Sequence, residues 1–267
     1  MTRTLSILFL SCLTALGQVS FSFGSLSTVA RGYATNQAAG GGNSLLTSLS
    51  AYWRFDEESG NRADYHSTND LTDINSCLYT AGVITNAADF EDDTDEYLTR
   101  TRSLSPQLFF GTDSAFTVAV WINIETDPAS GTGGIIGNGD NDEGFVLAKR
   151  TSGDVIRLYW TGQSGSTTHD IAAPAAAGWH LIFAWHDPVA DVIGLQMDDD
   201  APSTTAWSDG SKETTGQNFA VGSYGSGGGT TFDGQIDEAG FWLRVLTAGE
   251  RAALYNSGNG MDYADFE

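Results

Sequence analysis

The sequence predicts an all-β protein: a two-sheet antiparallel jelly-roll sandwich with one short helix near the C-terminus. Glycine is frequent, with 32 residues, and proline is scarce, with 5, as suits strands joined by tight turns. Short runs of alternating apolar residues recur between glycine-rich and aspartate-rich turns. No strand–helix–strand alternation accompanies them, so an antiparallel sandwich is favoured over a parallel sheet.

The clearest strand covers residues 116–124, where the side chains divide between two faces. One face is fully apolar, with Phe116, Val118, Val120, Ile122 and Ile124, and the other carries Thr117, Ala119, Trp121 and Asn123. Further strands are predicted within residues 48–55, 88–98 (around an acidic turn at 92–95), 144–149, 155–160, 179–185, 192–197, 218–221 and 231–241.

One segment near the C-terminus predicts a helix. Thr247 is a suitable N-cap, and Glu250 follows three residues later, which is the pattern of a capping box. The helix continues to Tyr255, and Gly258 supplies a stop signal.

The N-terminal 17 residues have two interpretations. A positive start at Arg3, an apolar run over residues 4–16 and small residues at its end are typical of a secretory signal peptide. Alternatively, the alternation in residues 18–23 indicates a strand-like arm that docks onto an assembly such as a virion. Residues 18–44 form a Gly/Ser-rich linker, and residues 45–267 form the jelly-roll domain.

The charge balance excludes several classes of partner. The chain has 34 acidic and 12 basic residues, which gives a net charge of −22. Such a field opposes nucleic acid and anionic membranes but suits cations, neutral glycans and basic partners. No segment predicts membrane insertion. With only Cys12 and Cys77, a disulfide framework is not expected.

Seven motifs follow one another in an order that is itself informative. They are AYWRFDEESG (51–60), DYHSTNDL (64–71), NAADF (86–90), FTVAVWI (116–122), GWH (178–180), FDGQIDE (232–238) and LTAGE through YNSG (246–258). Together they resemble the laminin G-like, concanavalin A-like lectin/glucanase superfamily, in the version common in secreted bacterial and phage proteins. The resemblance covers residues 46–262 and implies a two-sheet jelly roll, frequently with one calcium ion. It implies no single function, since this fold serves lectins, adhesins, glycoside hydrolases and structural modules.

Catalysis by this chain is not expected. Related glucanases carry E-x-D-x-E on one strand, so that three acids face the substrate groove. The corresponding positions here are Gln235, Asp237 and Ala239, and regular alternation places Glu238 on the opposite face from Asp237. His180 and His186 share a strand face about 20 Å apart, which we interpret as structural rather than as a metal pair.

The family resemblance implies calcium ligands in an early Asp/Asn turn and in the late strand. Carried over, these are Asp64, Asn69 and Asp237, with Asp56 and Glu238 as further candidates. The alternative interpretation is a solvated turn in which Asn69 forms an Asx-turn.

Aromatic residues beside polar, glycine-rich turns are candidates for stacking on a sugar ring. They are Tyr159, Trp160, Trp207 and Tyr224. Five other tryptophans lie inside strand patterns and are expected in the core: Trp53, Trp121, Trp179, Trp185 and Trp242.

These observations favour a non-enzymatic recognition or adhesion module, extracellular and stabilised by calcium, whose partner is a glycan or a surface protein. The first alternative is a structural virion component, a tail, fibre or capsid-decoration protein that assembles into a larger particle at the virion surface. The second alternative is a glycoside hydrolase.

Overall fold

The computed structural model describes residues 44–108, 113–139, 143–175, 177–210, 212, 216–225 and 230–267. The predicted N-terminal segment 1–17, and the linker apart from Ser44, lie outside these residues. The described elements are the strands β1 (Leu49–Trp53), β2 (Thr72–Ile74), β3 (Leu78–Ala81), β4 (Asn86–Phe90), β5 (Tyr97–Arg100), β6 (Phe116–Ile124), β7 (Thr132–Gly137), β8 (Phe145–Arg150), β9 (Val155–Thr161), β10 (Ser166–Ala172), β11 (His180–Asp187), β12 (Val192–Met197), β13 (Ser203–Ala206), β14 (Phe219–Val221) and β15 (Gly234–Trp242), with the α-helix α1 (Ala248–Tyr255).

Two antiparallel sheets confirm the predicted sandwich. The eight-stranded sheet has the order β13-β12-β11-β6-β15-β4-β3, and β1 also pairs with β15. The seven-stranded sheet has the order β10-β9-β8-β7-β14-β5-β2. About half of the paired strands are not consecutive in sequence, so each sheet gathers side chains from distant parts of the domain.

The main core lies between the sheets and follows the predicted alternation of β6. Phe116, Val118, Val120 and Ile122 are fully buried there, and Ile124 packs at its edge. Phe116 stacks on Trp160 with ring centroids 5.2 Å apart. The predicted apolar face of β6 is therefore the inner face of the eight-stranded sheet.

A second apolar cluster covers the outer face of the same sheet. It holds Trp121, Trp185 and Trp242, and Leu254 of α1 packs against them. Because α1 and the C-terminal residues shield this face, the tryptophans pointing away from the main core are still buried. Trp53 is in the main core, and Trp179 is partly buried against the second cluster.

The helix begins as the sequence predicts. Thr247 Oγ1 accepts a hydrogen bond from the Glu250 amide at 3.3 Å, and Glu250 Oε2 accepts one from the Thr247 amide at 2.7 Å. The helix ends at Tyr255, as predicted, but the residue that caps it is Asn256, in a left-handed conformation with φ 47°, rather than Gly258.

Strand β15 carries a β-bulge, which overturns one expectation. Its register against β6 shifts between Asp237 and Gly240, and Glu238 has φ 45°. Glu238 therefore lines a small cavity with Tyr52 and Trp121 of the second cluster. Asp237 lies on that side as well, where it meets the backbone of Val83. Regular alternation was the wrong assumption, since a bulge places two successive side chains on one face.

Cys77 is buried and unbonded to another cysteine, and Cys12 lies outside the described residues. Within the described ranges, no helix has the length and apolar character that a membrane crossing needs.

Candidate functional site

Two of the four predicted sugar-stacking residues meet on the outer face of the seven-stranded sheet. On β9, Ile156, Leu158 and Trp160 enter the core, so Tyr159 points to the opposite side. The ring of Tyr224 lies edge-to-face against Tyr159, with centroids 5.1 Å apart at 85°. Both rings are half-buried. The fold thus brings together two aromatic residues that are far apart in sequence.

Charged side chains hold Tyr159 in this position. Arg150 donates a 2.8 Å hydrogen bond to the Tyr159 hydroxyl. The guanidinium of Arg157 lies 5.4 Å from the Tyr159 ring centroid and also forms a two-point ion pair with Asp170, at 2.6 and 2.7 Å. The hydrogen bond to Asp170 is the main reason that the pKa of Arg157 is raised above its usual value. The surface around the two rings therefore carries fixed donors and acceptors.

The prediction for Trp160 was wrong. Trp160 is fully buried, stacks on His186 at 4.6 Å, and donates from Nε1 to the Gly210 carbonyl at 2.7 Å. Its neighbour in sequence, Tyr159, occupies the surface instead, because successive residues of a strand face opposite sides.

Trp207 is half-buried at a different place, beside the turn between β9 and β10. Its Nε1 donates to the same Gly210 carbonyl at 3.0 Å. A Cβ atom on Gly162 would lie 2.6 Å from the Trp207 ring, so the ring fills space that only glycine leaves open. The structure gives Trp207 a packing role and does not bring it to Tyr159 and Tyr224.

Asp64 and Asn69, expected as calcium ligands, do not fit a metal. Asp64 Oδ1 accepts the amides of Tyr52, His66 and Ser67, and Oδ2 accepts the amide and side-chain nitrogens of Asn69, all within 3.1 Å. The Asn69 side-chain oxygen accepts from Gln107. All three of these side-chain oxygens already accept hydrogen bonds, so the structure does not support this part of the expectation. The alternative of a solvated Asx-turn at Asn69 is not found either, because both residues are buried and Asp64, rather than Asn69, accepts the amides two and three residues further along the chain.

Asp237 is separate from that turn and is paired with Glu238. Its Oδ2 accepts the amides of Val83 and Ile84 at 2.8 and 3.1 Å. Among the described residues, Asp237 Oδ1 is buried without a hydrogen-bond partner. The Glu238 carboxyl is buried beside the Tyr52 hydroxyl, at the margin of hydrogen-bond geometry, and Arg54 Nε lies 3.7 Å from its Oε1. Burial raises the pKa of Asp237 to about 8 and that of Glu238 to about 9. Burial therefore favours the protonated, neutral form of both acids.

Three other carboxylates converge, and sequence reasoning missed them. Asp89, Glu91 and Glu125 have oxygen atoms within 4.8 Å of one another. Gln235 donates to Asp89 Oδ1 at 2.7 Å and to Glu125. The only sequence signal was the alternation of acids around Phe90. The neighbourhood itself depends on β15 pairing with both β4 and β6, which no local pattern shows.

The two histidines of β11 have separate partners, in line with a structural role. His180 Nδ1 lies 2.8 Å from Asp198 Oδ2 at the start of the strand. His186 is fully buried, and its Nδ1 lies 2.9 Å from the Ser114 carbonyl.

The two antiparallel sheets, with the Tyr159–Tyr224 aromatic patch on the outer face of the seven-stranded one, define a jelly-roll sandwich protein. A family model described as the concanavalin A-like lectin/glucanases superfamily, of the laminin G type, matches residues 92–250. The match covers more than half of the chain, so the protein belongs to this family. A search of curated protein sequences found no match.

Solved structures share the fold at low sequence identity. Domain 4 of AbnA, a GH43 extracellular arabinanase from Geobacillus stearothermophilus in complex with arabinotriose, has a TM-score of 0.59 and 17% identity, over 76% of this chain and 96% of that domain. The binding domain of Paraclostridial Mosquitocidal Protein 1 has a TM-score of 0.63 and 13% identity, over 80% of this chain and 53% of that one. The binding domain of botulinum neurotoxin DC in complex with SialylT has a TM-score of 0.58 and 9% identity, over 80% and 52%. The chain thus spans about half the length of the toxin binding domains.

Proposed function

We propose that this protein is a non-catalytic recognition module that binds a neutral oligosaccharide on the outer face of its seven-stranded sheet. The observation that carries the proposal is the contact between Tyr159 and Tyr224 inside a frame of Arg150, Arg157 and Asp170. Aromatic rings pack against the C–H faces of sugars, and fixed charged groups bond to their hydroxyls. The net charge of −22 disfavours an acidic glycan.

The comparisons support this proposal because similar folds occur in binding domains. The arabinanase domain was solved in complex with arabinotriose, and the neurotoxin binding domain, about half of which matches this chain, in complex with SialylT; both support a binding role. Because their sequence identity to this chain is low, we infer the kind of sugar from the residues of this chain and not from the ligands of those proteins.

The position of the acids on β15 supports a function without hydrolysis. Glu238 borders a cavity of about 10 Å³ that is closed by Trp121, Trp242 and Leu254. Such a space holds roughly one water molecule and no sugar. Asp237 is fully buried, and the bulge turns Ala239 into the main core, away from the side of Asp237. Two carboxyls on either side of a glycosidic bond are therefore not available on this strand.

One experiment distinguishes binding from hydrolysis. The full chain is applied to an array of neutral and acidic glycans that includes arabinotriose, and the bound glycans are incubated with the protein and assayed for reducing ends. We expect retention of neutral oligosaccharides with no increase in reducing ends. Release of reducing sugar that disappears in a single Asp→Asn or Glu→Gln variant would show a hydrolase instead.

Calcium binding stays a prediction from the family resemblance, and the structure changes where it should be tested. The carboxylates that converge are Asp89, Glu91 and Glu125. Burial and the neighbouring acids raise the pKa of Glu91, and a bound cation would relieve that repulsion. We expect calcium to raise the melting temperature by a few degrees relative to EDTA, and the Glu125→Gln variant to lose this rise. An Asp64→Asn variant that keeps the full calcium-dependent rise is the matched control. Equal melting temperatures of the wild type in calcium and EDTA would contradict the prediction.

Secretion and incorporation into a particle also remain predictions. Both depend on residues 1–17, and the N-terminal sequence of the mature protein distinguishes them. A chain starting at Gln18 supports export, and one starting at Met1 or Thr2 within purified particles supports assembly.

A further inference from the structure

One end of the sandwich contains a cavity that the proposed glycan surface does not use. Its volume is about 310 Å³, which is at the lower end of the roughly 300–1,000 Å³ of small-molecule pockets. It lies where the end of β6, the turn between β8 and β9, and the connection between β10 and β11 meet. The lining includes Ile124, Glu125, Asp127, Lys149, Asp154 and Pro174.

Lys149 is the buried polar group at the base of this cavity. On β8, Phe145 and Leu147 point into the main core, and Lys149 continues that inward face toward the open end. Only 2% of Lys149 is exposed. Its Nζ donates to Asp127 Oδ1 and Asp154 Oδ1, both at 2.8 Å, and to the Arg150 carbonyl at 3.2 Å. All three ammonium hydrogens are therefore engaged within the protein.

The ammonium of Lys149 remains charged in this setting. Burial opposes the charge, but the hydrogen bonds to Asp127 and Asp154 outweigh it and raise the pKa of Lys149. The buried Lys149 ammonium thus fixes the positions of the Asp127 and Asp154 carboxylates. Each of those aspartates uses Oδ1 for Lys149, and their side chains are 57% and 75% exposed.

The charge of the cavity selects the sign of its ligand. Glu125, Asp127 and Asp154 contribute three negative charges against the single positive charge of Lys149. The net charge of the cavity is therefore negative, so that an anion is repelled and a cation is attracted. Because all three ammonium hydrogens of Lys149 are already engaged, Lys149 has none left to donate to an anionic ligand.

The other wall of the cavity selects an organic ligand over a bare ion. Ile124, Pro174 and Ala177 present apolar surface opposite the carboxylates. Metal ions gain nothing from such a wall, and calcium would meet the Lys149 ammonium. A ligand with a short carbon framework gains from burying it, while its charged end pairs with the aspartates.

We propose that this cavity binds a protonated primary amine carried on a polar group of monosaccharide size. Two sources have this chemistry, an amino sugar and a lysine side chain. The Asp127 and Asp154 carboxylates receive the ammonium, and the Ile124–Pro174 side accommodates the carbon framework. This binding is independent of the glycan surface at Tyr159, because Tyr159 lies on the outer face of the sheet whereas Lys149 points inward.

To test this, the full chain is titrated with glucosamine and with its neutral counterpart N-acetylglucosamine. Binding is followed by NMR chemical shifts or by calorimetry. Nα-acetyl-lysine amide and Nα-acetyl-norleucine amide form the second arm. We expect binding by the amine of at least one pair and at least about tenfold weaker binding by its uncharged counterpart. The double variant Asp127→Asn/Asp154→Asn should weaken amine binding by about tenfold or more, since its amides still accept from Lys149 but carry no charge.

Matched variants separate the outcomes. Asp191→Asn removes an exposed acid at the opposite end of β11 and should leave amine binding unchanged, as should Tyr159→Ala. Which arm responds identifies the source of the amine. The proposal is overturned if neither amine binds at about 10 mM, if the neutral partners bind equally well, or if the double variant binds as the wild type does. Loss of glycan binding in Tyr159→Ala with intact amine binding keeps this test separate from the proposed function.

Discussion

Replacing Asp64 with alanine is expected to lower the free energy of unfolding by about 3–5 kcal/mol, in calcium and in EDTA alike. The carboxylate is buried, and it accepts five hydrogen bonds from residues that are up to 12 positions away in sequence. Without it, the amides of Tyr52 and Asn69 lose their partners inside the fold. Urea unfolding, followed by tryptophan fluorescence, measures the change.

The controls for Asp64 separate a folding role from a metal role. Asp64→Asn keeps one acceptor oxygen and should lose less stability than the alanine variant. Asp199→Asn, at an exposed turn, should change the unfolding free energy by less than about 0.5 kcal/mol. A loss in Asp64→Ala that is seen only when calcium is present would restore Asp64 as a metal ligand.

The stability of the protein is expected to fall as the pH rises from about 5 to about 9. Burial raises the pKa of Asp237 to about 8 and that of Glu238 to about 9, whereas unfolded carboxyls titrate near 4. Between these values the folded state holds more protons than the unfolded state. The stabilisation is therefore complete below the unfolded pKa and is lost as the pH approaches the folded pKa.

The surroundings of Asp237 and Glu238 explain why a negative charge on either carboxyl would not be compensated. Arg54 is the cation nearest to Glu238, at 3.7 Å, but it also pairs with Asp56 at 3.0 Å and Asp262 at 3.8 Å. Tyr52 lies beside Glu238, and burial followed by Glu238 raises the pKa of Tyr52 too. One guanidinium shared among these acids leaves both carboxyls neutral at moderate pH.

Variants of the pair give the size of the effect. We expect the unfolding free energy of the wild type to drop by about 5–10 kcal/mol between pH 5 and pH 9 in EDTA, the lower figure applying if only one of the two acids ionises in this interval. Glu238→Gln should flatten this profile, because glutamine stays neutral at every pH, and Asp237→Asn should flatten it as well. Asp262→Asn, on the more exposed partner of Arg54, should preserve the slope. A wild-type profile that rises over this interval would contradict the assignment.

Most of the central strands could be predicted from sequence, but most of the edge strands could not. Strands β6, β9, β12 and β15 lie inside the sheets and show apolar alternation, which marks their buried sides. The strands at the ends of the two strand orders are β13, β3, β10 and β2, and none was predicted as a separate strand, whereas β1, which pairs only with β15, was. Edge strands are partly solvated and carry polar residues, as in STTHDIA of β10, so their pattern is weak. Strand β7, with the sequence TGGIIG, was also not predicted, because its glycines provide no alternation of apolar and polar side chains.

The candidate site could be predicted from sequence only in part, because it depends on which strand face each residue occupies and on which strands pair. An aromatic dipeptide in a strand sends one ring inward and one outward, and the sequence alone did not show that Tyr159 is the outer one. The meeting of Tyr159 with Tyr224 requires the long connection between β9 and the segment after β14. Asp64 resembles a family ligand in sequence, but its five amide and side-chain donors appear only in the fold. The bulge at Glu238 likewise depends on pairing with β6.

The most direct test of the binding account is calorimetric titration of an array-selected neutral oligosaccharide into the wild type and the Tyr159→Ala/Tyr224→Ala variant. Each ring is expected to contribute on the order of 1 kcal/mol, so the double variant should bind at least about tenfold more weakly. Trp207→Phe, which changes the aromatic residue away from this face, should bind as the wild type does. The melting temperatures show whether both variants are folded. Unchanged affinity in a folded double tyrosine variant would contradict the assignment of this surface as the glycan site.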